Sequence, residues 1–344
     1  MTEWRYISAF TEQLVRCGVH LGESVVVLSE TTSRQILVDT ARLAAQSLGA
    51  KVVDVVVPTP ASSHAVPIRS TGASQAIAGS AAVLAALTHC DIVVDCTVEG
   101  LLHAPELSTI LGSGTRVLMV SNEHPDVFDR LRYDPDLAGR VERAHHLLAS
   151  ANTMRVRSTA GTDLTVVLAG AFTAGSTGLT NGPGTIAHWP GGLVLAFPAA
   201  NTVSGAIVLA AGDVNLTFNR VIESDVALTI VDDFITAIDG DGADARLFRS
   251  YLSAFDDQQC YATSHVGWGM NRAARWDTVE LFDRRETWGT EARASAGNFL
   301  YSCGANEVAG RFTAGHFDLP MQGCTVELDG HVVVDTGTLI DSLA

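Results

Sequence analysis

The 344-residue sequence predicts an α/β N-terminal domain with a largely parallel sheet over residues 1–150. A mainly antiparallel β (α+β) metal-binding domain is expected over residues 151–344. Three observations carry this. Apolar runs of strand length alternate with helical patterns through the first half. Short strand-like segments joined by turn residues fill the second half, and a His-x-Asp pair stands near its end among glycines.

Residues 24–28, Ser-Val-Val-Val-Leu, read as a buried strand. Residues 34–48 have the spacing of an amphipathic helix, residues 51–57 form the next strand, and residues 74–88 a second helix. Two more strands are expected over residues 91–95 and 116–120, and a helix over residues 134–149 leads out of the domain. No glycine-rich phosphate loop follows the first strand, where residues 28–32 read Leu-Ser-Glu-Thr-Thr, and Gly112-Ser113-Gly114 precedes a strand instead of opening a helix. A nucleotide site is therefore a weak reading of this half.

In the second half, residues 155–158 and 163–168 flank a Thr-Ala-Gly-Thr turn and read as a hairpin. Strands are expected over residues 193–197, 206–210, 226–230 and 235–238, and a helix over 243–254. A closing hairpin turns on Asp329-Gly330. The Ala174-Gly175-Ser176-Thr177-Gly178 segment reads as a flexible loop that could cover a site. Asp239-Gly240-Asp241-Gly242 has the look of a calcium loop, but the twelfth loop position falls on Ser250 where a bidentate Glu is needed.

Composition excludes several classes. With 38 acidic and 22 basic residues and no basic stripe, nucleic acid is not an expected partner. The longest apolar run, residues 81–87, is too short to span a bilayer, and the N-terminus lacks a signal-peptide layout. The expectation is a cytoplasmic protein without a membrane partner. Six cysteines without a C-x-x-C pair read as small buried residues.

The chemistry concentrates in Gly315-His316-Phe317-Asp318-Leu319-Pro320. In a strand, residues i and i+2 share a face, so His316 and Asp318 can reach one ion together. His265, ahead of Gly267 and Gly269, is a plausible third ligand. Two imidazoles and a carboxylate with an open side suit non-heme Fe(II), and Zn²⁺ would accept the same set. The alternative is a core histidine bonded to an aspartate.

The stretches from Gly297 to Asn306, from Gly315 to Met321 and from His265 to Asn271 resemble the 2,5-dihydroxypyridine 5,6-dioxygenases, relatives of the M29 (thermophilic) aminopeptidases. The resemblance spans most of the chain and is sharpest from about Trp189 onward. It implies an M29 aminopeptidase-like fold and Fe(II) held by His265, His316 and Asp318. It further implies extradiol-like opening of a pyridine ring by O₂ to N-formylmaleamate, and a homo-oligomer. The departures from the peptidase pattern are also informative. Where that pattern keeps a Glu, a His and another Glu as ligands, this chain has Leu193, Leu300 and His265. Leucine cannot ligate, so a dinuclear hydrolytic site is hard to rebuild. A mononuclear hydrolase of an amide or cyclic amide remains the alternative function.

Ring opening needs a group that takes and returns a hydroxyl proton, and neutral imidazole suits this. His103 and His188 are the candidates, and both positions look like substrate-contacting histidines of the dioxygenase family; a surface-loop histidine is the alternative for each. Ser302 could bond the ring nitrogen or a hydroxyl. Trp189 and Trp268 could wall an aromatic substrate or belong to the core.

Overall fold

The computed structural model describes residues 2–61, 73–180 and 182–343. A five-stranded parallel sheet runs in the order Lys51–Val57, Ser24–Glu30, Ile92–Cys96, Arg116–Met119, Ile186–His188. Its central strands are apolar without alternation because both faces are covered. Val25, Val27, Ile92 and Val94 share a core with Phe10 and Leu14 of the helix Trp4–Arg16 and with Leu37 and Ala41 of Gln35–Ser47. Val26, Leu28, Val93 and Val117 pack on the other side with Leu87, Leu101 and Ile110. The last strand, Ile186–His188, comes from beyond residue 150 and ties the second half of the chain into this sheet.

Local signals explain the helix limits. Pro135–Ser150 starts at Asp134, whose carboxylate accepts the Asp136 amide, with proline in the first turn. The helix expected over residues 74–88 is confined to Ala81–Thr88, because Gly79 just before it adopts a φ of +69° that no helix accommodates. The helix Trp4–Arg16 was not part of the sequence expectation. It buries Tyr6, Ala9, Phe10, Gln13 and Leu14, one stripe at helical spacing.

Two antiparallel sheets follow, of eight and five strands. The five-stranded one has the order Arg311–Met321, Phe299–Asn306, Thr263–Gly269, Leu193–Phe197, Phe172–Ser176. Alternation decides what each face does. Phe317, Leu319 and Met321, Phe299, Tyr301 and Cys303, and Val266 and Trp268 enter the main core. That core also holds Met154, Val156, Leu164 and Val166 of the eight-stranded sheet, with Phe248 and Tyr251 of the helix Ala243–Ser253. The intervening residues, His316 and Asp318, Leu300 and Ser302, His265 and Gly267, occupy the opposite face. Gly267 is required by packing, since a Cβ there would fall 1.9 Å from the Val194 carbonyl oxygen. Among the described residues, no helix is long and apolar enough to cross a membrane.

Candidate metal centre

The non-core face of the five-stranded sheet brings His265, His316 and Asp318 together. Asp318 Oδ1 lies 3.2 Å from His316 Nε2 and 3.6 Å from His265 Nε2. Register explains the meeting: Ser302 pairs with Asp318, Gly304 with His316, and Tyr301 with Val266, the neighbour of His265. All three side chains are almost fully buried. Burial pushes the His265 imidazole well below its ordinary pKa, against the pull of Asp318. Burial likewise lowers His316, helped by His103 and opposed by Asp318. Both rings are therefore neutral, the form that ligates a metal.

Asp318 is anchored from behind. The Ser302 hydroxyl donates to Oδ1, and Arg293 Nε donates to Oδ2 at 2.6 Å. Burial alone would raise the Asp318 pKa, but Arg293, then His316, outweigh it and hold the carboxyl well below the usual range. Ser302 is thus placed differently from its expected role: it is fully buried and its hydroxyl is committed to Asp318, not to a ring substituent.

His103 enters from the parallel-sheet half. Its ring centroid is 4.3 Å from that of His316, and its Nδ1 is 3.3 Å from Glu307 Oε1. One nitrogen of each of His103, His265 and His316 lies within 4.8 Å of the other two. The buried Nε2 of His103 has no hydrogen-bond partner among the described residues. His188, at the end of its strand, faces the same cavity; burial, then Arg293, push its pKa down to about 4.

The cavity over this cluster has a volume of about 490 Å³. Leu102, Leu107, Leu111, Phe172, Leu195 and Phe197 supply most of its apolar wall. Leu193 and Leu300 line it too and present only hydrocarbon. Neither expected tryptophan contributes. Trp268 is three residues from His265 in one strand and therefore points into the core, where its indole N–H meets Met270 Sδ. Trp189, next to His188, points the other way, packing on Phe10 and Phe128 with ring centroids 4.8 and 4.6 Å apart. The aromatic side chains near the histidines are Trp288, stacked on His188 at 5.2 Å, and Phe197, 5.2 Å from the His265 ring. Phe172–Ser176 is an edge strand of the site sheet lining the cavity, where a flexible loop was expected.

The segment carrying Trp288 and Arg293 escaped the sequence reading altogether. It is held by Glu123, a buried carboxylate of the parallel-sheet half that accepts the Thr287 hydroxyl and the amides of Trp288 and Thr290. Glu291 in the same segment forms a two-pronged ion pair with Arg130. No sequence signal flags it: the Trp-Gly-Thr-Glu-Ala-Arg run follows the charged Asp-Arg-Arg-Glu of residues 283–286 and shows no apolar periodicity.

The fit to a cation is good on the protein's own terms. Two neutral imidazoles and an ionised carboxylate converge in a buried place, and His265 Nδ1 and His103 Nε2 have no protein partner among the described residues. Fold and site together thus define a class of protein with an imidazole–carboxylate cluster that could hold a metal ion under an apolar cavity. The chain belongs to the 2,5-dihydroxypyridine 5,6-dioxygenase family, whose model matches residues 5–341. A curated 2,5-dihydroxypyridine 5,6-dioxygenase from Pseudomonas putida KT2440 is 37% identical over 324 residues, covering 92% of this chain and 91% of that one. The solved structure of 2,5-dihydroxypyridine dioxygenase from Pseudomonas putida KT2440 superposes with a TM-score of 0.92 at 34% identity, covering 98% of each chain. The M29 aminopeptidase AmpT from Thermus thermophilus shares the fold at a TM-score of 0.65 and 14% identity, covering 98% of this chain and 99% of that one.

Proposed function

We propose that this protein is an Fe(II)-dependent, extradiol-like dioxygenase opening the ring of 2,5-dihydroxypyridine, or a close hydroxylated pyridine, with O₂ to give N-formylmaleamate. The observation that carries the reading is the meeting of His265, His316 and Asp318 on the floor of a cavity walled largely by hydrocarbon. These three residues would hold the metal. His103 lies within reach of the same cluster, but Asp318 is the better third ligand because Ser302 and Arg293 fix its orientation. When bound, Fe(II) supplies open coordination positions and the redox chemistry that lets O₂ react with an aromatic ring.

The protein's part is binding, orientation and proton handling. His103 receives the ring hydroxyl proton at Nε2 while Glu307, 3.3 Å from Nδ1, orients the imidazole. His188 stays neutral near pH 7, because burial lowers its pKa to about 4, and orients the ring through Nε2. The leucine and phenylalanine wall excludes water from the ring. The atoms balance without an outside reductant: cleaving the C5–C6 bond leaves one oxygen of O₂ in a carboxyl group and the other in a formyl group. The partners are a small heteroaromatic substrate and O₂, within a homo-oligomer.

The test is direct. Anaerobically purified protein loaded with Fe(II) is given 2,5-dihydroxypyridine while O₂ uptake and loss of substrate absorbance are followed. Stoichiometric uptake supports the reading; no uptake with iron bound, or full activity with Zn²⁺, overturns it.

A further inference from the structure

One wall of the cavity carries polar atoms that the protein leaves unsatisfied. Trp288 Nε1, Arg293 Nη2 and His188 Nε2 are each buried with no hydrogen-bond partner among the described residues. All three side chains line the cavity. Buried polar atoms are paired in the large majority of cases, so three on one wall point to a partner that arrives with the ligand.

The three groups form one stack. The His188 and Trp288 rings are 5.2 Å apart and inclined by 21°, and Arg293 Cζ lies 4.1 Å from the Trp288 ring centre. Arg293 cannot swing away, since its other nitrogens donate to Asp318 Oδ2 and to the Trp288 carbonyl at 2.6 and 2.8 Å. Indole and guanidinium N–H groups only donate. His188 is complementary to them. Its ring bonds to the backbone of Pro190, which has no amide hydrogen and can only accept. The bonded nitrogen therefore carries the hydrogen, and Nε2 keeps its lone pair.

We propose that this wall reads a cis-lactam edge, –C(=O)–NH–, with Trp288 and Arg293 donating to the carbonyl oxygen and His188 Nε2 accepting the ring N–H. A 2-hydroxypyridine presents that edge in its pyridone tautomer. The inference rests on the dihydroxypyridine reading above and adds which edge is read, by which residues and in which tautomer. It makes Trp288 a specificity-determining residue. A ring lacking the oxygen would leave two buried donors unpaired, a fault that polar sites reject far more strongly than a change in apolar bulk.

The test uses rings that cannot turn over. 2-Pyridone, which has the lactam edge without the second hydroxyl, is titrated calorimetrically into the intact chain under anaerobic conditions. N-methyl-2-pyridone and 3-hydroxypyridine serve as comparisons. The wild-type protein should bind 2-pyridone at least about tenfold more tightly than either. Trp288→Phe keeps an aromatic ring between His188 and Arg293 but removes the N–H. It should weaken 2-pyridone by about fivefold to tenfold and leave 3-hydroxypyridine unchanged. Equal binding of the three rings by wild type overturns the proposal whether or not the variant folds. So does undiminished 2-pyridone binding by the variant, or no 2-pyridone binding at all. O₂ uptake with 2,5-dihydroxypyridine alongside unselective ring binding refutes the lactam wall alone. Selective binding without O₂ uptake refutes the oxygen chemistry alone.

Discussion

Replacing Glu123 with Gln keeps the shape of the side chain and removes one acceptor oxygen. In the native protein, Oε1 accepts the Thr287 hydroxyl and the Trp288 amide, each at 3.0 Å, and Oε2 accepts the Thr290 amide at 2.8 Å. The His124 amide adds a local bond at 2.8 Å. The residue is 1% exposed, so water cannot take over a lost bond. Whichever way the Gln amide turns, its NH₂ faces at least one N–H or O–H left without an acceptor. One orphaned buried donor costs about 1–3 kcal/mol, and losing the charge weakens the bonds that remain. Glu123→Gln should therefore unfold roughly 2–4 kcal/mol more easily in urea at pH 7. The loss should reach the cavity through Trp288 and Arg293. We expect KM to rise several-fold while iron content changes less, because the proposed ligands His265, His316 and Asp318 sit on the sheet and Ser302 still anchors Asp318 when Arg293 is loosened. The difference should narrow in acid. Burial would raise the Glu123 carboxyl, but the amides of His124, Trp288 and Thr290 outweigh it and hold the pKa below its ordinary value. Its contribution is therefore present above the unfolded pKa near 4.3 and disappears as pH falls through the folded value. Unchanged stability and KM at pH 7 would refute the clamp, and so would a loss of iron at unchanged KM.

The remaining predictions concern the site itself. His265→Ala should abolish iron retention, measured as metal content after gel filtration, since two ligands make a poor site; unchanged content would show that His265 is not a ligand. Ser302→Ala should lower iron affinity by about tenfold to a hundredfold in a chelator competition, the usual effect of freeing a ligating carboxylate. Equal affinity would mean that Arg293 alone orients Asp318. His188, buried and lowered to about 4 from an unfolded value near 6.5, contributes stability that is present above pH 6.5 and lost as pH falls toward 4. That loss is on the order of 3 kcal/mol across the window, and His188→Gln should flatten the urea stability profile between pH 6.5 and 4. An equally steep profile in the variant would contradict the assignment.

The legible parts of this molecule were those written in local periodicity. Asp134-Pro135 announced a helix start, the Val-rich runs announced strands covered on both faces, and His316 and Asp318 two apart in a strand announced a shared face. Of the two readings of Trp268, cavity wall or core, the structure has the core, by the same alternation that puts His316 and Asp318 on one face. An odd offset from His265 along one strand puts the indole on the core side. Trp189 is the same case beside His188. Ser302 was placed near the chemistry, but its partner depends on the register that sets it opposite Asp318. Glu123, Trp288 and Arg293 carried no local signal. Their roles exist only because a turn of the parallel-sheet half meets a segment about 165 residues later, a juxtaposition that no short window contains.

The charges around the cavity bear on the kind of substrate it suits. Among the lining residues, Asp318 is neutralised by Arg293 and Glu307 is engaged with His103, while Leu193 and Leu300 add no charge. Of the two positive charges of a cation held by His265, His316 and Asp318, the protein would thus offset one, through Glu307. In a buried, apolar setting that deficit is costly unless the ligand supplies an anionic oxygen. A ring hydroxyl can do so once His103 takes its proton, whereas a neutral amide cannot. Leu193 and Leu300 therefore leave a site whose electrostatics favour an ionisable ring oxygen over a peptide carbonyl, on a fold shared with AmpT.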